Sequence, residues 1–467
     1  MLQSLRNIWD IPDLRKRVLF TLGMLAIYRL GTHIPTPGIN AQALIDFFEQ
    51  NRGNWFGLVD MFSGGNLAQV TIFALGVMPY ISASIILQLL TVVWRSLEKL
   101  CKEGELGKRK ITQYTRYGTV VLALVQSMGI AVYLERMTLS GGHSIVSSPG
   151  LGFKLMTVLT LTTGTAFIMW LGEQITERGI GNGMSLLIFA GIVVGFPRGL
   201  IDTIQRIQRG DLNLLAALVL LVGMVLVVMV IVRVERAQRR ITVQYAKRVV
   251  GRRMYGGQST HLPLRVNTSG VIPVIFASSI IAFPQTILSY FQANNAWVRN
   301  IVEQLQWGMP LYIVLYITFI IFFCYFYTSI VFNPEDVAEN MRKYGGFIPG
   351  IRPGKKTAEY LDHILSRITF GGAVYLALIA LLPEFLITGV KVQYLPFIGP
   401  GLDTFLANNN LGIITEGLGL NFYFGGTSLL ILVGVAMDTV AQIEAQLVMR
   451  HYDGFSGPGG KRIRGRR

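Results

Sequence analysis

Thiol and imidazole side chains are the first candidates for chemistry in this chain, and their placement argues against it. The two cysteines, Cys101 and Cys324, lie in different parts of the chain, which predicts inert thiols rather than a disulfide framework. The histidines lie far apart and form no HExxH motif; they are His33, His143, His261, His363 and His451. We therefore expect neither a bound metal nor a cofactor.

Two Gly-rich segments have only part of the pattern of a nucleotide-binding loop. In FIPGIRPGKKT, residues 347–357, the first Gly of a phosphate loop is replaced by Pro349, and Lys356 stands where Ser or Thr is required. RGIGNG, residues 178–183, contains GxGxG but has no third Gly at the offset that a dinucleotide-binding loop requires. We interpret both as tight turns that present cations. The apolar segments contain no GxSxG or paired Asp motif, which argues against an intramembrane enzyme.

About ten apolar stretches make up the elements that must position any functional residue. A helix of about 20 residues, rising 1.5 Å per residue, crosses a hydrocarbon core about 30 Å thick. With 51% hydrophobic and 15% charged residues, the chain has too little polar surface for a large aqueous domain. We predict an all-α membrane protein with ten transmembrane helices, at residues 18–34, 70–94, 118–134, 151–172, 183–201, 214–232, 271–291, 309–332, 368–387 and 422–440.

Lys and Arg are concentrated in alternate gaps between these stretches. The two ends of the chain and the gaps 95–117, 173–182, 233–265 and 335–367 hold 33 of the 42 cations. Cytoplasmic segments of membrane proteins carry an excess of Lys and Arg. Both termini and these gaps are therefore predicted to face the cytoplasm, which requires an even number of spans.

Carboxylates are absent from the centres of the apolar stretches. Glu173, Glu384 and Asp438 all fall near the ends of spans. A secondary transporter with broken helices, the alternative function, would need an ionisable or coordinating group near the midplane. Any pathway through this protein is therefore expected to be apolar.

Two of the stretches contain helix breakers. The second has Gly76 and Pro79 in its middle, and the seventh has Pro273 and Pro284. An interrupted helix in lipid needs protein or a cavity to cover the freed carbonyls, which would place both beside an interior pathway. An ordinary kinked helix in a bundle is the alternative, and the pattern alone does not separate the two.

Seven strings spread along the chain carry a resemblance to a known family. They are MFSGG (61–65), KRKITQYTRYGT (108–119), WLGEQITERGIGNGMSLLIFAGI (170–192), GQSTHLPLRVN (257–267), GVIPVIFASS (270–279), GIRPG (350–354) and YFGGTSLLILVGVAMD (423–438). Together they resemble SecY, the large subunit of the bacterial Sec protein-conducting channel, and the likeness runs in order from about residue 12 to about residue 452.

The resemblance implies two inverted five-helix halves around an hourglass pore. The halves would be residues 1–210 and 211–452, with cytoplasmic loops at 233–265 and 335–367. The implied function is passage of unfolded, signal-bearing polypeptides across the bacterial plasma (inner) membrane, with sideways release of transmembrane segments into lipid. The implied partners are the small subunits SecE and SecG, and SecA or the ribosome, which drive the chain through.

A ring of aliphatic side chains would line the narrowest part of this pore. Flexible apolar side chains exclude water by dewetting and yield to a passing polypeptide. Val77 with Ile81, and Met184 with Ile188, are each four residues apart and share a helix face. The resemblance assigns six residues to the ring: Val77, Ile81, Met184, Ile188, Ile275 and Ile431.

The resemblance also assigns a plug and a lateral gate. The plug corresponds to Met61, Phe62, Ser63, Gly64 and Gly65, where the glycines allow close packing. The gate corresponds to a polar cluster of Gln88, Gln126 and Asn267, although amides in spans are also common as interhelix contacts. Hydrogen bonds of about 1 kcal/mol would let an apolar signal helix compete for this seam.

The two large basic loops carry the candidate contacts with the motor or ribosome. Arg352, in GIRPG, matches the position that the resemblance ties to motor action. For the other cations, a contact with SecA or with ribosomal RNA phosphates and a purely topological role both stay open. These are Arg239, Arg240, Lys247, Arg248, Arg252 and Arg253.

Two segments depart from the resemblance or fall outside it. The outer gap 390–421 is longer than the usual SecY connection and contains Gly, Pro and Asn. Residues 453–467 form a basic tail rich in Gly and Arg, which is expected to be disordered and cytoplasmic.

Overall fold

The protein is described by a computed structural model. It describes residues 11–39, 69–136, 146, 148–210, 214–245, 248–250, 253–255, 259–291, 300–302, 304–306, 308–387 and 426–456. The plug residues 61–65, the outer gap 390–421, and Lys247 and Arg252 lie outside these ranges, as does the tail from residue 457 onward.

Long helices dominate the described residues. In chain order they are α1 (Pro12–Gly31), α2 (Met78–Val93), α3 (Arg95–Lys102), α4 (Glu105–Arg136), α5 (Leu151–Arg178), α6 (Gly183–Arg209), α7 (Leu214–Arg236), α8 (Ile272–Phe291), α9 (Pro310–Val331), α10 (Pro334–Lys343), α11 (Lys355–Ile387) and α12 (Gly426–Ser456). Each of the ten predicted stretches overlaps one of these helices, so the prediction of helix at these positions is confirmed. The last, α12, extends to Ser456, four residues into the predicted tail.

Membrane-crossing helices are numerous in the described part of the chain. Six are long and apolar enough to span a bilayer: α4, α5, α6, α9, α11 and α12. A seventh span results if α2 and α3, bent by 104° at Trp94, are counted together. Lipid covers such helices, which explains why α5 leaves large apolar side chains such as Leu151, Leu155 and Leu159 exposed.

A small basic subdomain interrupts the helices. Its strands are β1 (Gln238–Tyr245), β2 (Arg248–Val250), β3 (Arg253–Tyr255), β4 (Ser259–Arg265) and β5 (Gly346–Phe347). Strand β1 is central, antiparallel to β4 on one side and to β5 on the other, while β2 and β3 pair separately. The sheet packs on α10 and α11 around a core that contains Ile241, Leu264, Ile348, Leu361 and Ile364.

The chain forms two compact units. The first comprises residues 1–198, 286–294 and 435–467, and the second comprises residues 199–285 and 295–434. Each unit has its own core. In the first, side chains before α2 pack against α4 and α5 through Val70, Ala74, Leu75, Ala123, Leu134, Phe153 and Leu161.

Candidate functional site

The second apolar stretch is broken as the sequence predicts. Residues 69–77 form turns, Gly76 has a φ of +56°, and α2 begins at Met78 with Pro79 in its first turn. Proline is tolerated there because an N–H in the first turn has no helical partner. A positive φ favours glycine, so Gly76 provides the break and Pro79 the restart.

Val77 and Ile81 stand at the start of α2, directly after this break. The Ile81 N–H donates to the Val77 carbonyl at 3.1 Å, which places the two side chains one turn apart on one face. Both are buried, at 3% and 8% exposure. The predicted stacking of this pair on one helix face is confirmed.

Met184 and Ile188 occupy the first turns of α6 and are also buried, at 9% and 4% exposure. The Asn182 side chain caps this helix, accepting from the Met184 N–H at 3.1 Å. Gly172 of α5 leaves room for the Met184 sulfur, since a Cβ there would come within 2.5 Å of Sδ. Helices α2 and α6 thus each begin with a stacked apolar pair.

The second unit contributes Ile275 and Ile431. Ile275, in the first turns of α8, is half-buried, and Ile431, near the start of α12, is fully buried. The Ser278 and Ser279 hydroxyls donate to the Ile275 carbonyl at 2.9 and 2.7 Å, so these polar groups are satisfied within their own helix. All six predicted ring residues therefore lie within the first two turns of a helix or at its N-cap, and none is ionisable.

The amides of the predicted gate have different surroundings. Gln88 is half-buried in α2 and donates to the Ser84 hydroxyl at 3.2 Å, and Gln126 is half-buried in α4. Asn267 is 4% exposed. A cluster of the three stays a prediction.

Asn267 is held by a partner that the sequence analysis missed. Its Nδ2 donates to Glu235 Oε1 at 2.6 Å and to the Gly270 carbonyl at 3.0 Å, and its Oδ1 accepts from the Ser269 hydroxyl at 3.3 Å. Charge-assisted bonds of this length are among the stronger ones. Glu235 is an acidic residue among the arginines at the end of α7. This single negative charge was the sequence signal that could have indicated a specific partner for it.

The predicted contact residue Arg352 lies at an exposed turn. Gly350 and Gly354, with φ of +84° and +101°, flank it, and the Thr357 hydroxyl donates to its carbonyl at 2.9 Å. The turn is therefore supported through backbone groups. In the described part of the chain, no residue pairs with the Arg352 guanidinium.

The other predicted basic contacts lie along the strands. Arg239 and Arg240 are exposed on β1, opposite Leu264 and Pro263 of β4. Arg248 of β2 and Arg253 of β3 belong to the separate hairpin.

Two ion pairs join α4 to α5 in the first unit, and one of them is formed by Lys154 and Glu135. Arg116 Nε of α4 lies 2.7 Å from Glu173 Oε1 of α5, and the carboxylate side chain is 17% exposed. Glu173, predicted near a span end, thus helps to join α4 to α5. Because the arginine is 45% exposed, we assign the pair a modest contribution to stability.

The thiols and carboxylates do not assemble into a reactive site among the described residues. Cys101 is exposed on α3 and Cys324 is buried in α9, and neither is bridged. No group of three His, Cys, Asp or Glu side chains in the described ranges could hold a metal ion.

Broken apolar helices, buried aliphatic pairs at helix starts and an appended basic subdomain define a multi-pass membrane protein of the channel class. Comparison with known families is consistent with this class: the family model described as SecY matches residues 71–440. The chain belongs to the SecY family. It is a protein-conducting channel subunit of a translocase, and not an enzyme.

Similar proteins come from distant bacteria. The protein translocase subunit SecY of Escherichia coli K12 is 51% identical over 445 residues, covering 95% of this chain and 94% of that protein. The subunit of the same name from Aquifex aeolicus is 45% identical over 456 residues, covering 97% and 99%.

Solved structures share the fold at low sequence identity. A structure described as that of a protein conducting channel has a TM-score of 0.63 at 16% identity, covering 96% of this chain and 98% of that one. Sec61 in a canine ribosome–channel complex has a TM-score of 0.59 at 15% identity, covering the same shares of the two chains. The SecY fold predicted from the resemblance is thereby confirmed.

Proposed function

We propose that Val77, Ile81, Met184, Ile188, Ile275 and Ile431 form the constriction through which unfolded, signal-bearing polypeptides cross the membrane. The observation that carries this is the shared position of the four residues in the first unit, where two helices each begin with a buried aliphatic pair. Helix α2 starts inside the second predicted span, where a helix end is exposed to a pathway rather than to lipid. An apolar waist stays dry when idle and deforms around a translocating chain.

The remaining parts of the channel are assigned by the same family membership. Residues 61–65 serve as the plug, and Gln88, Gln126 and Asn267 as polar residues of a lateral gate between two halves, 1–210 and 211–452. SecE and SecG complete the complex. SecA or a ribosome meets the basic subdomain, with Arg352 as the main contact, and supplies the driving force.

Crosslinking of a stalled precursor tests the constriction. With a photoreactive side chain at Ile275, import driven by SecA and ATP is expected to yield a crosslink between channel and precursor, because the substrate must touch every face of the waist. The matched control is Leu378 of α11, which is 64% exposed and expected to label lipid. Equal precursor labelling at both positions, or lipid labelling alone at Ile275, contradicts the assignment.

Orientation in the bacterial plasma membrane is proposed with both termini in the cytoplasm. The native Cys101 can report the orientation, because it is exposed and lies within the gap 95–117, which is predicted to face the cytoplasm. Cys324 is buried and is not expected to react. A membrane-impermeant maleimide is expected to label Cys101 in inverted vesicles and to leave it unlabelled in right-side-out vesicles. Cys101→Ser gives the background. The reverse pattern means that the topology is inverted.

A further inference from the structure

The turn Arg178–Gly183 between α5 and α6, here named the α5–α6 turn, has its backbone bound by side chains from distant helices. The Ile180 N–H donates to Thr21 Oγ1 of α1 at 3.1 Å, in buried surroundings. The Gly181 N–H donates to Gln442 Oε1 of α12 at 3.0 Å. The first contact joins residues 159 positions apart and the second joins residues 261 positions apart, so neither is a local feature of the turn.

Local side chains bind the next N–H groups of the same segment. The Gly183 N–H donates to Thr176 Oγ1 at 2.9 Å, and Asn182 Oδ1 accepts from the N–H groups of Met184 at 3.1 Å and Ser185 at 3.4 Å. The N–H groups that open a helix have no partner within it. Here side-chain oxygens satisfy them, so the first residue of α6 is specified by hydrogen bonds.

Apolar packing surrounds the same turn. Ile180 is 3% exposed and packs with the buried Leu14 of α1. Side chains from the start of the chain and from α12 complete this cluster: Ile11, Val18, Ile443 and Leu447. The turn is therefore held by α1 and α12 through apolar contacts as well as through hydrogen bonds.

Backbone geometry leaves the turn little freedom to shift. Gly181 has a φ of +88°, and a Cβ there would meet the side chains of Leu186 and Thr439. A Cβ on Gly183 would clash with the carbonyl of Gly172, so α6 begins in direct contact with α5.

We propose that the α5–α6 turn is an anchor that sets the position of Met184 and Ile188, with Thr21 and Gln442 as positioning residues. This inference rests on the constriction proposed above. Met184 is the second residue of α6, and slipping the helix start by one residue turns its side chains by about 100°. A loosened anchor therefore lets the apolar side chains leave the waist and admits water to the idle channel.

Thr21→Val in the purified complex with its small subunits, reconstituted in planar bilayers, tests this proposal. Valine keeps the shape of threonine and leaves the buried Ile180 N–H without its acceptor. The idle ion leak per channel is expected to rise about fivefold, the factor that corresponds to one lost hydrogen bond. Thr21→Ser retains the hydroxyl, so its idle ion leak is expected to equal that of the unsubstituted channel.

Gln442→Leu provides a second, independent variant. Gln442 is exposed, so water replaces part of the lost contact, and a smaller rise than for Thr21→Val is expected. If Thr21→Val yields no purified channel, the leak of Gln442→Leu tests the proposal by itself. Gln442→Glu keeps an acceptor oxygen, so its idle ion leak is expected to equal that of the unsubstituted channel.

Two comparison variants separate failure of the anchor from failure of the constriction. Thr160→Val on α5 removes a hydroxyl bonded only to its own helix, and an equal leak there would mean general loosening, which overturns the anchor. Met184→Gly opens the waist directly. A leak with Met184→Gly and none with the Thr21 and Gln442 variants refutes the anchor and leaves the constriction standing. No leak with Met184→Gly removes Met184 from the constriction itself.

Discussion

Ile188→Asn is expected to make the idle channel conduct ions. Ile188 is 4% exposed and one turn after Met184 on α6. Burying an Ile side chain is worth about 2 kcal/mol, and replacing it with a hydrated amide removes that preference for a dry waist. A shift of this size changes the ratio of wet to dry states roughly thirtyfold. The measurement is single-channel recording of the purified complex in planar bilayers, without motor or precursor.

The same substitution is expected to relax the need for a signal sequence. A waist that is already wet offers less resistance to opening, so a precursor with a defective signal gains access. Import of that precursor into vesicles, driven by SecA and ATP, should rise with the leak.

Two neighbours on α6 make matched controls for Ile188→Asn. Val193 is 38% exposed, and Val193→Asn is expected to leave the idle channel closed. Leu187 is fully buried within the first unit, and Leu187→Asn is expected to lower the thermal stability of the complex without opening a conducting path. A leak at Leu187 equal to that at Ile188 would show that core damage, and not a wet waist, is being measured.

Arg352→Ala is expected to stop motor-driven import while leaving the channel folded. The side chain is exposed, and the turn that carries it is supported through its carbonyl, which the Thr357 hydroxyl contacts at 2.9 Å. Loss of an interface arginine of the hot-spot kind costs about 2 kcal/mol of binding, roughly thirtyfold in affinity. The apparent SecA concentration for half-maximal import should rise accordingly, with the idle ion leak and the thermal stability of the complex unchanged.

Lys343→Ala is the charge-matched control for Arg352→Ala. It also removes one cation from an exposed position of the basic subdomain, where Lys343 pairs only weakly with Glu339 of its own helix, and import is expected to be unaffected. A similar loss for both variants would mean that net charge, and not the Arg352 site, governs the encounter with the motor. An unchanged SecA dependence for Arg352→Ala would remove it from the interface.

Features that depend on nearby residues were predictable from the sequence. Helix occurs at all ten apolar stretches, and the second span breaks at Gly76 because a glycine with positive φ and a proline at the restart act on their own backbone. The stacking of Val77 on Ile81 follows from helical spacing alone. Their assignment to a ring came from the family resemblance, since the spacing describes a lining stripe and a lipid-facing stripe equally well.

Features that depend on distant partners were not predictable. In the sequence, the gap 233–265 is marked only by its cations, and no strand was predicted there. In the structure, β1 pairs with β4 and also with the distant β5, whose Phe347 lies opposite Gln244. The hydrogen bond from Asn267 to Glu235, 32 residues earlier, was likewise not predicted. Strand pairing and buried polar contacts satisfy groups brought together by folding, and no local pattern records which groups those are.

The sequence by itself determined that this chain folds in a lipid membrane, and it determined the class of the protein. Long apolar stretches without central charges require lipid, and the cation pattern predicts the direction of each span. Only the tertiary structure decided how the start of α6 is held. Thr21 and Gln442 reach the α5–α6 turn from opposite ends of the chain, because the N–H groups just before a helix start have no partner within the helix and donate to the oxygens that tertiary packing brings near them.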